Sequence, residues 1–183
     1  MFIGVINNAS DTERYERLIK ELAEQGITNY SIFPAIHDIT SVKKGINLAH
    51  KSVIEYAQLA GFEEVCVMED DIKGTHPNSW NFFLQNKPKD FDIYLSGIYT
   101  GVIQPDNSVR NWCGFHCYIV AKRFYETFLS VEDDAHIDQA LSGLGKVYVC
   151  NPFAFIQYEG ISSNTGKFEA YDHLLQGRDL YSG

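Results

Sequence analysis

Four apolar residues, Val65-Cys66-Val67-Met68, run without a break into three carboxylates, Glu69-Asp70-Asp71. An apolar run that shows no alternation has both faces covered, which puts it inside a sheet packed by helices on each side. Upstream, Ile46, Ala49, Val53, Ala57 and Ala60 recur at helical spacing and stop at Gly61. A helix feeding a doubly covered strand is the unit of an open α/β sheet, and ligands of such sheets gather at the carboxyl ends of the strands. The three acids stand at that end.

The rest of the chain repeats the pattern. Residues 2–6 are a short apolar, β-rich run that stops in Asn7-Asn8-Ala9-Ser10. Ser10 with Glu13 three residues on predicts a capping box, and Tyr15, Leu18, Ile19, Leu22 and Ala23 carry the helix to a left-handed stop at Gly26. Extended character returns over Ile27 to Ile36. Further strands are predicted at Phe91 to Leu95, Gly114 to Val120 and Lys146 to Cys150, with helices at Lys122 to Leu129 and Ile137 to Leu141. The loops around Gly74 to Asn78 and Ile103 to Asn111 are rich in Gly, Pro, Asn and Asp and are expected to be the most mobile. The fold class expected is α/β, with a mixed, mostly parallel central sheet flanked by helices. At 183 residues and 45% hydrophobic content, the chain reads as one domain over 1–183.

Charge narrows the partners. A net charge of −9 with only 15 Lys and Arg, none clustered, argues against nucleic acid, whose phosphates are held by grouped cations. An acidic protein still binds a diphosphate when a divalent cation bridges the like charges. No apolar run approaches the ~20 residues of a membrane helix, and no basic leader opens the chain. The expectation is a cytoplasmic protein without an integral membrane segment, able to meet a membrane surface through its acceptor. Cys66, Cys113, Cys117 and Cys150 are too few for a disulfide framework at this size and read as reduced thiols. Cys113, His116 and Cys117 have some look of a zinc site, but the alternation Cys113, Phe115, Cys117, Ile119 is better explained as one core-facing strand face.

Consecutive carboxylates raise one another's pKa unless a cation neutralises them. Oxygen-only ligands on a short turn suit Mg²⁺ or Mn²⁺, with water and phosphate filling the other positions. A solvated acidic turn after a strand is the plainer alternative. The chain shows no Gly-x-Gly-x-x-Gly after its first strand, and Gly160 to Lys167 has one residue too many for a P-loop, with Phe168 where Ser or Thr is required.

The run Glu64 to Ile72 resembles the acidic motif of glycosyltransferases of the GT-A fold, and its surroundings resemble glycosyltransferase family 25, which includes lipooligosaccharide and collagen galactosyltransferases. Val5-Ile6-Asn7 followed by Arg14 is similar to that family's first strand and helix start. Gly45 to His50 resembles its Gly-to-Ser-His segment, with Ala49 where serine is usual. Tyr118 to Ala121, then Ile137-Asp138, resemble its later strand and aspartate, and Pro152, Gln157 and Ser162-Ser163 its C-terminal pattern. The chain is shorter than typical members, and Ser163-Asn164 stands where Ser-Asp is common.

The resemblance implies transfer of a sugar from a nucleotide-diphosphate sugar, a UDP-sugar first among them, to a glycan or protein hydroxyl, with Mn²⁺ (or Mg²⁺). It implies that Asp71 holds the metal, that Asp70 bonds the ribose or donor sugar, that Glu69 acts through a metal-bound water, and that Asn7 and Arg14 seat the base and diphosphate. Asp138 is the candidate base, because an inverting transfer needs a carboxylate near the attacking hydroxyl; in the alternative it merely favours a helix N-terminus. His50, His116 and His173 are candidates for completing the metal shell, with structural roles more usual for each. Of Trp80, Trp112, Tyr99 and Tyr158, Trp112 in its polar loop is the best candidate for stacking on a sugar. A nucleotidyltransferase of similar fold and a non-catalytic sugar- or nucleotide-binding module are the rival readings.

Overall fold

The computed structural model describes residues 1–162 and 165–183. The chain opens with β1 (Phe2–Asn7), α1 (Thr12–Glu24), β2 (Ser31–Pro34), α2 (Val42–Leu59) and β3 (Glu64–Glu69). Then come β4 (Ile72–Gly74), α3 (Ser79–Gln85), β5 (Ile93–Leu95), β6 (Thr100–Ile103), β7 (Val109–Cys113) and β8 (Cys117–Ala121). The last elements are α4 (Tyr125–Leu129), α5 (Ile137–Leu141), β9 (Val147–Val149), β10 (Phe155–Gln157), and the short β11 (Gly160–Ile161) and β12 (Phe168–Glu169). A six-stranded sheet in the order β2-β1-β3-β8-β5-β9 forms the centre. β8 runs against its neighbours β3 and β5, and the remaining pairings are parallel.

The run that constrains the sequence also organises the core. Val65, Cys66, Val67 and Met68 are all 0% exposed. Because successive side chains of a strand point to opposite faces, Val65 and Val67 join Ala49, Val53 and Ala57 of α2 and Phe128 of α4. Cys66 and Met68 join Leu18 and Leu22 of α1 and Phe83 of α3 on the other face. Each such burial contributes roughly 1.5–3 kcal/mol, so the strand fixes both helical layers at once.

Several local expectations shift. Helix α1 is capped by Asp11, whose side chain accepts the Arg14 N–H, while the Ser10 hydroxyl turns back to Asn8 Oδ1; the capping residue lies one position later than predicted. Gly26 does adopt the left-handed conformation that ends the helix. The segment Lys122 to Leu129 begins as a 3-10 turn before α4. The face predicted for Cys113, Phe115, Cys117 and Ile119 is divided, because Gly114 at φ 112° breaks the chain between β7 and β8. Cys117 and Ile119 enter the core under α1 and α3, whereas Phe115 stacks on Tyr118 in the other. All four cysteines are free thiols.

The two loops expected to be mobile are tied into strands. Residues 100–113 form the antiparallel pair β6 and β7, turned at Asn107, whose φ is 63°. β4 pairs antiparallel with β10, and Thr75 N–H donates to Ala154 O at 3.0 Å. Among the described residues no helix is long and apolar enough to cross a membrane. The Ser163 and Asn164 parts of the C-terminal resemblance lie outside the described residues.

Helix α2 enters so close to the preceding loop that a Cβ on Gly45 would stand 2.2 Å from the Ile36 carbonyl oxygen. A backbone oxygen cannot swing aside as a side-chain tip would. Gly45→Ala is expected to destabilise the fold by about 1–3 kcal/mol and lower the thermal midpoint by roughly 2–10 °C, read by circular dichroism; an unchanged midpoint would mean that the loop yields.

Candidate functional site

Register brings the acids to their partners. β1 lies parallel to β3 with Ile6 opposite Glu69, so Asn7, the last residue of β1, falls beside Asp70. Asn7 Nδ2 and Asn8 N–H both donate to Asp70 Oδ2, each at 3.0 Å. Arg14, in the first turn of α1, closes the group from above. Its Nε stands 3.1 Å from Asp70 Oδ1, and its terminal nitrogen pairs with Asp71 Oδ2.

Alternation carries Glu69 and Asp71 to the opposite side of Asp70. There β10 delivers Gln157 opposite Ile72, and its Nε2 donates to Glu69 Oε2 at 2.9 Å and to Asp71 Oδ1 at 2.8 Å. Tyr158 N–H donates to the Asp71 carbonyl at 2.7 Å. His50 spans the other Glu69 oxygen, 3.2 Å away, and the Tyr118 hydroxyl, 2.7 Å away. Asn7, Arg14, Glu69, Asp70 and Asp71 are therefore one cluster joined by hydrogen bonds and ion pairs.

The cluster is anionic and dry. Asp70 and Asp71 are only 7% and 8% exposed. Burial raises the pKa of Asp70 despite Arg14 and the Asn8 N–H. Burial, then the charge of Glu69, raises that of Asp71 against the pull of Arg14, Gln157 and His116. Three carboxylates face one guanidinium, which leaves two negative charges when all are ionised. Two hard oxygens, from Glu69 and Asp71, converge on a single amide nitrogen. Among the described residues no three His, Cys, Asp or Glu side chains converge so as to hold a metal by themselves. Mg²⁺ and Mn²⁺ sites of one or two carboxylates completed by phosphate and water are the common alternative, and this donor set and surplus charge fit one.

Asp71 opens into a cleft of about 290 Å³ lined by Arg14 and Arg17 of α1, by Tyr158, and by Ile161, Phe168 and Tyr171 of the C-terminal segment. Arg17 and Tyr171 are absent from the sequence reading. Arg17 had a signal, since it lies three residues from Arg14 on one helix face; Tyr171 had none.

Other expectations fall elsewhere. Asp138 sits in the first turn of α5, where its oxygens accept Gly114 N–H at 3.1 Å and Gln139 N–H at 2.8 Å. Among the described residues no hydrogen bond or ion pair joins it to the acid cluster. The Cys113 thiol beside it is pushed up to about 12 by burial and by that carboxylate. Trp112 is 1% exposed and packs on Phe115; the β6–β7 pairing turns its indole into the core, so it is not a sugar platform. Trp80 packs against Phe83, and Tyr99 stacks on Tyr171. Tyr158 alone of the four aromatics lines the cleft. His116 Nε2 donates to the Phe155 carbonyl, 3.0 Å away, with its Nδ1 buried and unpartnered among the described residues. His173 is exposed and bonds its own turn.

The mixed sheet with helices on both faces and an acid cluster at its carboxyl edge has a GT-A-like fold, shared with solved structures that superpose on it. Comparison with solved structures agrees. The chain superposes on a glycosyltransferase involved in glycosylation of the major capsid of PBCV-1 with a TM-score of 0.55 at 10% identity, covering 96% of this chain and 100% of that one. It superposes on a mutant of Drosophila β1,4-galactosyltransferase 7 in complex with manganese, UDP-Gal and xylobiose with a TM-score of 0.54 at 13% identity, covering 100% and 82%. HddC from Yersinia pseudotuberculosis, complexed with GMP-PN, gives a TM-score of 0.55 at 14% identity, covering 86% and 93%. At identities this low the likeness shows the fold alone. No protein-family model matches the chain, and no curated protein sequence does.

The raised pKa of Asp71 has a definite sign. A carboxyl whose pKa is higher folded than unfolded contributes stability that is full below the unfolded value, 3.8, and lost as pH rises through the folded value. At pH 7 the ligand-free protein carries that cost, and Asp71→Asn removes it. The variant is expected to melt above the wild type at pH 7, with the gap closing as the pH is lowered towards 3.8. Thermal denaturation across that range checks this; a variant less stable at pH 7 would show that the pairing with Arg14 outweighs burial.

Proposed function

We propose that the chain is a divalent-metal-dependent glycosyltransferase that moves a sugar from a nucleotide-diphosphate sugar, a UDP-sugar first among them, to a hydroxyl of a glycan or protein. The observation that carries this reading is the convergence of Glu69, Asp70 and Asp71 with Asn7 and Arg14 at the carboxyl edge of a GT-A-like sheet, beside the cleft into which Asp71 opens. The partial likeness to glycosyltransferase family 25 is part of the proposal.

Asp71 and Glu69 would hold Mn²⁺ (or Mg²⁺) together with the donor's diphosphate. When bound, the cation offsets as a Lewis acid the charge that builds on the departing nucleoside diphosphate. The protein's own groups do the rest. Asp70 accepts from Asn7 and Asn8 on Oδ2, while its Oδ1 faces the Arg14 Nε in an ion pair without a hydrogen bond, so Oδ1 would take a ribose or sugar hydroxyl. Asn7 and Arg14 keep Asp70 and Asp71 in place and present the edge on which base and diphosphate rest. Gln157 holds the Glu69 and Asp71 oxygens together before the substrate arrives, and its amide nitrogen would give way to the cation.

Asp138 is the proposed base. It would accept the proton of the acceptor hydroxyl as that oxygen attacks the anomeric carbon and the nucleoside diphosphate leaves. The Gly114 N–H holds one of its oxygens, and Gly114 leads within two residues to His116, whose carbonyl accepts the Glu69 N–H at 2.8 Å. The base and the acids thus hang on one stretch of backbone.

A thermal-shift screen of UDP-, GDP-, CMP- and dTDP-sugars with and without Mn²⁺ tests the reading, since a ligand of the folded state raises its melting point. The expected result is a Mn²⁺-dependent shift for one nucleotide, lost in Asp71→Ala. A shift from a nucleoside triphosphate where no sugar nucleotide acts would turn the reading to nucleotidyl transfer, and metal-independent glycan binding would turn it to a binding module. Asp138→Asn is expected to keep the nucleotide shift and to lower turnover by about 10²–10⁴-fold; an unaffected rate would remove Asp138 from the mechanism.

A further inference from the structure

Two guanidiniums line the cleft beside Asp71, and they differ in what they already hold. Arg14 is committed by charge, ion-paired through its Nε with Asp70 and through its terminal nitrogen with Asp71, although that Nε, like that of Arg17, makes no hydrogen bond among the described residues. Arg17 takes part in none of the ion pairs among the described residues. Its Nε is shielded from solvent and has no hydrogen-bond partner there. Glu13, one turn earlier on α1 and also at the cleft, is the natural partner at helical spacing, yet the two do not pair.

The Arg17 guanidinium lies instead over the Tyr158 ring, 4.6 Å from its centroid. That ring is itself fixed. Tyr158 N–H bonds the Asp71 carbonyl, and its hydroxyl donates to Glu21 Oε2 at 3.1 Å. Lys73 Nζ stands 5.3 Å from the same ring and adds positive potential. The ring limits the movement of the guanidinium, so less freedom is lost when its planar fork closes on an anion. Phosphate oxygens match that fork in two-point geometry.

We propose that Arg17, held over the Tyr158 ring, is the direct protein ligand for a phosphate of the donor, and that it makes the site select nucleoside diphosphates over monophosphates. This rests on the sugar-nucleotide reading above. Asp71 in the cleft lining suits a cation and Arg17 in the same lining supplies a positive charge, so a ligand with two linked phosphates meets both, and a monophosphate meets one. The other acids of the cleft do not compensate Arg17. Asp11 spends a side-chain oxygen on the Arg14 N–H, and Glu13 and Glu159 are exposed to solvent.

Titration calorimetry in the presence of Mn²⁺ tests this with UDP, UMP, GDP and GMP on the wild type, Arg17→Met, Arg17→Lys and Tyr158→Phe. Arg17→Met keeps an unbranched stem on the ring and removes the charge. It is expected to weaken the diphosphate that binds by about 10- to 100-fold, the range for losing a charge-assisted hydrogen bond, and to change the corresponding monophosphate by less than about twofold. Arg17→Lys should recover part of the loss, and Tyr158→Phe, which keeps the ring, should bind as the wild type. Equal weakening of both nucleotides, or no weakening of the diphosphate, overturns the assignment. If no nucleoside diphosphate binds the wild type at all, the sugar-nucleotide reading itself falls and this one with it. Should Arg17→Met fail to fold by circular dichroism, Tyr158→Leu, which removes the platform, is read by the same criteria.

Discussion

Everything at the carboxyl edge of this sheet answers to the cost of burying consecutive carboxylates. Charges taken out of water are tolerated only where partners meet them closely, and here the partners come from four different elements. Asn7 ends β1, Arg14 opens α1, Gln157 ends β10 and His50 lies in the middle of α2. The demand on them is high because Asp70 and Asp71 are held above the ordinary carboxyl range even with these partners in place. Such a cluster is under-neutralised by construction.

The architecture turns that strain into position. Parallel pairing of β1 with β3 sets Asn7 beside Asp70, and antiparallel pairing of β4 with β10 sets Gln157 beside Asp71. The first pairing belongs to the six-stranded sheet, where Val65 to Met68 bind two helical layers, and the second to a separate two-stranded sheet, so two sheets bring their ends to the acids. A second tier of buried polar groups supports the rim. Glu21 accepts from the Gly74 N–H and the Tyr158 hydroxyl, and Gln25 reaches His76 and Trp80. Helix α1 is thus stitched to both β4 and the residue that follows β10.

Much of this was legible in one dimension. The apolar run, the acids after it, the helix stops at Gly26 and Gly61 and the short helix at Ile137 all depend on neighbours within a few residues, and local chemistry decides them. Arg14 and Asn7 were legible through resemblance, and the structure brings them to the acids. Errors arose where a local signal had a non-local competitor. Ser10 resembled a cap, but its hydroxyl bonds Asn8 while Asp11 takes the helix N-terminus. Trp112 looked exposed because its neighbours are polar, yet pairing of β7 with β6 turned its ring inward. Asn and Asp in residues 103–111 marked a turn correctly and hid the strands on either side of it.

The sequence by itself determined the doubly covered strand, the order of the layers around it and the presence of a charged cluster at one end, because burial and periodicity act along the chain. Only the tertiary structure decided which groups answer that charge. Gln157 lies 86 residues from Asp71 and Arg14 lies 57, and contacts over such separations are set by strand register and helix packing rather than by composition. The same holds for Arg17. Its place beside Arg14 was visible as spacing, but that it lies over Tyr158 instead of pairing with Glu13 follows from where β10 carries the chain past α1.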